Sequence, residues 1–195
     1  MSITKLNHSL HRPDGFLEDK QKTTIVGIYG AGGANASGNP ALKRVVEEQK
    51  GRMFSSSLGG GDKAIIAYLE EGFKQGNQLI LYGHSRGGAA AVRIANKLGE
   101  RQIPIAEITL YDPVGLYFGG SFTFTYPNVL KVTNYYQRNP IGSFSLWTYN
   151  PFVGSSVCGT YPWTEINNIN LTGQYYRSGV FINHLNITQY AIQNL

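Results

Sequence analysis

One pentapeptide in this 195-residue chain has the residue types and spacing for covalent chemistry. Gly83-His84-Ser85-Arg86-Gly87 fits G-x-S-x-G and is the only match to that pattern. A serine hydroxyl is a weak nucleophile, so it must be exposed at a cleft and hydrogen-bonded to a base. A very tight turn between a strand and a helix exposes it, and glycine two residues to either side removes side chains that would clash. Such a turn puts Ser85 at the start of a helix. The N–H of Arg86 then lacks a helical partner and can point at a developing oxyanion. The chemistry is acyl transfer. The Arg86 side chain is read as pairing with a carboxylate to fix the helix, against a rival contact with an anionic substrate group.

The flanking elements are the ones this turn needs. Gln78–Tyr82 reads as an apolar strand leading in, and Ala89–Leu98 as an alanine-rich helix leading out and ending at Gly99. Upstream, the β-branched run Thr23–Tyr29 reads as a buried strand that enters a glycine-rich loop, residues 30–38. Residues 41–52 read as a helix or surface turn, and Asp62 as the N-cap of a helix over residues 63–75. Downstream, Ile105–Tyr111 and Val129–Tyr135 read as strands, residues 176–183 as a last strand, and residues 187–195 as a closing helix. Strands alternating with helices predict an α/β fold with a mainly parallel sheet in a three-layer α/β/α sandwich. Residues 1–22 read as a polar arm and 23–195 as one domain.

Composition removes several alternatives. A charged fraction of 15% with 42% hydrophobic residues argues against whole-chain disorder. The net charge of +5 is not gathered into a basic stripe: residues 1–107 carry 14 Lys/Arg interspersed with 10 Asp/Glu, so no nucleic-acid partner is expected. One cysteine excludes a disulfide framework. The histidines (His8, His11, His84 and His184) do not have helical zinc spacing, so neither metal nor organic cofactor is expected. The loop at residues 30–38 lacks the third glycine of a dinucleotide fingerprint and the lysine of a Walker loop. The polar N-terminus shows no secretory signal, so cytoplasmic residence is the default expectation, with signal-independent export as the alternative. Of 24 aromatic residues, 17 lie between Tyr111 and Phe181. The largely uncharged stretch 114–164 is therefore read as a pocket wall or lid for an apolar acyl chain, with transient membrane or lipid contact.

In its elbow and order of elements the sequence resembles the α/β-hydrolase family, in particular small bacterial lipase- and esterase-like members with a G-x-S-R-G elbow. The resemblance implies an ester hydrolase with a Ser-His-Asp triad in the chain order Ser85, Asp112, His184. Asp112 lies in LYDPVG, directly after the strand that follows the elbow helix, where a carboxylate would reach the ligand-binding edge of a parallel sheet. Most members place the acid one strand later. Glu165 is the next candidate. His184 is the only histidine after the elbow. His84, beside the nucleophile, is read as turn packing or hydrogen bonding. The resemblance also implies a second oxyanion donor from the loop after the first strand, with Gly30, Ala31 and Gly32 as candidates and Ala31 first among them. Tyr135, Tyr136 and Gln137 end a strand at the same edge and are candidate pocket residues. The rival classes are a non-catalytic binding module on the same fold and a thioesterase or amidase using the same triad.

Overall fold

The computed structural model describes residues 22–56, 61–115, 122–139, 154–176 and 179–194. The expected polar arm, apart from Lys22, lies outside the described residues. So do residues 116–121 and 140–153 of the expected pocket or lid stretch.

The sheet begins with β1 (Thr23–Tyr29), whose alternation decides its place. Val26 and Ile28 face one apolar cluster and Ile25 the other, so the strand is buried on both sides. β3 (Gln78–His84) does the same, with Leu79 and Leu81 on the first side and Ile80 and Tyr82 on the second. With β2 (Arg52–Ser55), β4 (Ile105–Tyr111), β6 (Val129–Tyr136) and β8 (Glu165–Asn170), they form a six-stranded sheet in the order β2-β1-β3-β4-β6-β8. Every neighbouring pair is parallel. A small parallel pair, β5 (Phe122–Phe124) with β7 (Val157–Gly159), lies apart.

Helices cover both faces. α2 (Gly61–Lys74) and α3 (Arg86–Gly99) pack on the side of Val26, Ile28, Leu79 and Leu81. α1 (Asn39–Glu48) and α4 (Ile187–Gln193) pack on the other, through Leu42, Val46, Ile187 and Ala191. This is the expected three-layer α/β/α arrangement. The chain passes from β1 to β2 on one side and resumes at β3 on the other. The carboxyl ends of β1 and β3 therefore flank a topological switch point, where parallel sheets open a crevice.

Several expectations needed correction. Residues 177 and 178 of the expected last strand lie outside the described residues, and the described residues of 176–183 form no strand; one isolated antiparallel bridge joins Tyr175 and Phe181. The last sheet strand is β8, whose EINNIN sequence carries almost no apolar alternation. Asp62 lies inside the first turn of α2 instead of capping it. Its carboxylate is drawn sideways, accepting from Ser56 Oγ at 3.0 Å and from Arg93 Nη2 at 3.2 Å. Among the described residues, no helix is long and apolar enough to cross a membrane.

Candidate active site

Ser85 sits between the last residue of β3 and the first of α3, with φ 56° and ψ −124°. A side chain rarely takes that backbone conformation, so it persists only where neighbours enforce it. Here backbone hydrogen bonds on both sides of the residue do so. Ser85 N–H donates to the Tyr111 carbonyl at 2.9 Å, and the Ser85 carbonyl accepts from Gly88 N–H at 3.0 Å and Val114 N–H at 3.1 Å. The two motif glycines have a steric reason. A Cβ on Gly83 would stand 2.6 Å from the Gly87 carbonyl oxygen, and one on Gly87 would overlap the Ile28 carbonyl of β1.

Asp112 follows β4 directly and is fully buried. It too has a left-handed backbone, φ 49°, held by its N–H donating to the Tyr135 carbonyl at 2.7 Å. That turn aims the carboxylate at Gln137, just after β6, and at His184, so that it gathers three donors. Oδ1 accepts from Gln137 N–H at 3.0 Å, and Oδ2 accepts from Gln137 Nε2 at 2.7 Å. The third is His184 Nδ1, 2.7 Å from Oδ2. His184 Nε2 lies 2.8 Å from Ser85 Oγ. The serine, histidine and aspartate singled out in the sequence thus form one buried hydrogen-bonded chain. In a neutral His184 ring, Nδ1–H donates to Asp112 and Nε2 accepts from the serine hydroxyl. Glu165 is elsewhere: it opens β8 in register with Lys131, is exposed, and stands at the opposite edge of the sheet.

No sequence motif marks how the histidine loop is tied down. Gln137 Oε1 accepts from Asn139 N–H at 2.6 Å, and Asn139 Nδ2 donates to the Ile182 carbonyl at 2.6 Å and the Leu171 carbonyl at 3.2 Å. Asp112, Gln137, Asn139 and the segment entering His184 are therefore one buried network. Gly154 closes over it, since a Cβ there would overlap Asp112 Oδ1. Gln137, a candidate pocket residue, is fully buried against Asp112 and is not among the residues lining the cavity described below. Tyr135 is likewise buried, stacked on Tyr111 with ring centroids 5.8 Å apart.

His84 packs beneath the histidine, ring centroids 4.9 Å apart. Its Nδ1 is 2.9 Å from Asn39 Oδ1 and its Nε2 is 3.1 Å from the His184 carbonyl. Asn39 accepts from Gly30 N–H at Oδ1 and donates to the Gly33 carbonyl from Nδ2, which fixes its amide orientation. Both ring nitrogens of His84 therefore face acceptors. Burial, with a smaller repulsion from His184, lowers the His84 pKa to about 3, so the ring is neutral near pH 7 and has one hydrogen for two acceptors.

The glycine-rich loop approaches the serine closely: a Cβ on Gly30 would stand 2.8 Å from Ser85 Cβ. Because Gly30 N–H is taken by Asn39, it is not free for an oxyanion. Among the described residues, the N–H groups of Ala31 and Arg86 meet no acceptor. Gly32 has a left-handed backbone, φ 82°. The Arg86 side chain is exposed, and no carboxylate among the described residues pairs with it. A cavity of about 500 Å³ opens beside this loop, lined by Gly30–Gly33, Arg86, Val92, Arg93, Val114 and Phe122, among others. Among the described residues no group of three His, Cys, Asp or Glu side chains could hold a metal.

No family model and no curated protein matches this sequence. Among solved structures, the chain is similar to Est1E from Butyrivibrio proteoclasticus at 10% identity, with 90% of this chain and 89% of that chain covered and a TM-score of 0.43. At that identity and score, a functional reading has to rest on the geometry of the site.

Proposed function

We propose that the protein is a serine hydrolase of the α/β-hydrolase type that cleaves a carboxylic ester through an acyl-enzyme. The observation that carries this reading is the continuous chain Ser85 Oγ to His184 Nε2 at 2.8 Å and His184 Nδ1 to Asp112 Oδ2 at 2.7 Å. Ser85 Oγ attacks the carbonyl carbon as His184 Nε2 takes its proton. The carbonyl oxygen becomes an oxyanion and accepts from the N–H groups of Arg86 and Ala31. Each such donor contributes about 100- to 1,000-fold in rate. The intermediate collapses, the C–O bond to the alcohol breaks, and His184 returns the proton to that alcohol. A water then attacks the acyl-serine with His184 again as base, releasing the acid and restoring the serine. Asp112 keeps His184 in the required tautomer and stabilises the imidazolium; it does not itself take the proton.

The test is turnover of a nitrophenyl ester by the wild-type chain and by Ser85→Ala. Loss of turnover in a folded variant supports the reading. Full activity in Ser85→Ala, or a folded wild-type chain that turns over no ester, refutes it.

A further inference from the structure

The cavity beside the glycine-rich loop has a chemical character that an acyl-chain pocket would not need. Among the described residues, its walls carry two guanidinium groups, Arg86 and Arg93, and no carboxylate. Both lie on one face of α3, seven residues apart, which is about 10 Å along the helix axis. They are not equivalent. Arg93 is neutralised from behind by Asp62, with Nε and Nη2 each 3.2 Å from Asp62 Oδ2. Other polar walls are also occupied: Asn96 donates to the Thr123 carbonyl and accepts from Thr125 N–H, and Ser56 donates to Asp62. Arg86 has no such partner among the described residues and leaves the cavity with one uncompensated positive charge. Ser85 and His184 do not line the cavity, but Gly30 and Arg86, which flank the serine, both do. A substrate held at Ser85 can therefore extend into it.

We propose that this cavity receives an anionic group of the substrate, a carboxylate or phosphate, and that the Arg86 guanidinium is the specificity-determining residue for it. This rests on the ester-hydrolase reading above. The volume of about 500 Å³ suits a small charged fragment, and a planar guanidinium suits a two-pronged oxyanion. Arg86 then serves at two points: its backbone N–H at the oxyanion and its side chain at the anion.

The experiment compares kcat/KM for matched charged and neutral esters. One pair is soluble, 4-nitrophenyl hemisuccinate against 4-nitrophenyl butyrate. The other carries the charge on a lipid, dihexanoyl phosphatidate against dihexanoylglycerol. The wild-type chain should favour the charged member of at least one pair, and the pair that responds identifies the source of the anion. Arg86→Gln should reduce that preference about 10- to 100-fold, the size of a hydrogen bond to a charged group, and Arg86→Lys should restore part of it. A wild-type chain indifferent to charge in both pairs, or an Arg86→Gln variant with unchanged preference, overturns the proposal. If neither pair is turned over, the hydrolase reading fails by itself. Calorimetric titration with phenyl phosphate then decides on the cavity. Binding weakened about tenfold or more by Arg86→Gln supports the anion site, and equal or absent binding overturns it.

Discussion

Replacing Asp112 with asparagine sets two requirements of the site against each other. Every hydrogen bond to the Asp112 carboxylate comes from a donor, and asparagine offers one acceptor oxygen where aspartate offers two. With its nitrogen at the Oδ2 position, the new amide faces two donors, Gln137 Nε2 and His184 Nδ1, both 2.7 Å away. Gln137 cannot turn its amide to help without giving up the 2.6 Å bond from Asn139 N–H. His184 can adapt by moving its hydrogen from Nδ1 to Nε2, but that hydrogen then points at Ser85 Oγ and the ring can no longer take the serine proton. With its nitrogen at the Oδ1 position, the amide faces only Gln137 N–H, and one buried donor goes unpaired at about 1–3 kcal/mol. Both arrangements cost stability, and both remove the negative charge that stabilises imidazolium. We expect Asp112→Asn to fold with a melting temperature a few degrees lower. We expect its kcat on a nitrophenyl ester to fall about 10,000-fold, the loss that follows from a wrong histidine tautomer in a serine-protease triad. Thermal melts and steady-state rates on the same preparation decide it. A folded variant within tenfold of the wild-type rate would refute the role of Asp112.

Three further outcomes follow from the same geometry. Ser85→Gly should be more stable than Ser85→Ala by about 1–3 kcal/mol in denaturant titration, because both lose the hydroxyl but only glycine relaxes at φ 56°; equal stabilities would contradict the strained turn. Gly87→Ala should fail to fold or lose several degrees in melting temperature, since its Cβ would overlap a carbonyl of β1, and a wild-type melt would rule out that packing. His84, with its pKa lowered to about 3, binds a proton more readily unfolded than folded. Its contribution to stability is therefore present above the ordinary value near 6.5 and lost as pH falls toward 3. His84→Gln should flatten the stability–pH slope in that window by up to about 1.4 kcal/mol per pH unit, and an unchanged slope would contradict a buried neutral ring.

The strands that carry the site were legible because they are buried on both faces. β1 and β4 fall where TTIVGIY and IAEITLY predict them, and β3 and β6 extend one or two residues beyond the predicted run. The edge strand β8 was not legible, because its exposed asparagines are chosen for partners such as Asn134, whose Nδ2 donates to Asn168 Oδ1 at 2.8 Å, and not for apolar alternation. The aromatic and apolar segment before His184 looked like a strand. Among its described residues, side chains take up backbone groups that a strand would pair: Asn139 donates to the Ile182 carbonyl and Asn186 Oδ1 accepts from the Asn183 N–H. Ser85 stood out by local motif, and Asp112 by its place after a strand. Gln137 and Asn139 carry no local signal. Their role depends on β4 and β6 being neighbours, which brings residue 137 beside residue 112, and strand order is not written in any short window.

The claim that a single activated serine does the chemistry is tested most directly by covalent capture. The wild-type chain treated with a fluorophosphonate and examined by intact and peptide mass spectrometry should gain one adduct, on Ser85. Ser85→Ala should gain none, and His184→Ala should label slower by orders of magnitude. A folded wild-type chain that stays unlabelled, or that carries its adduct on another residue, would contradict the account.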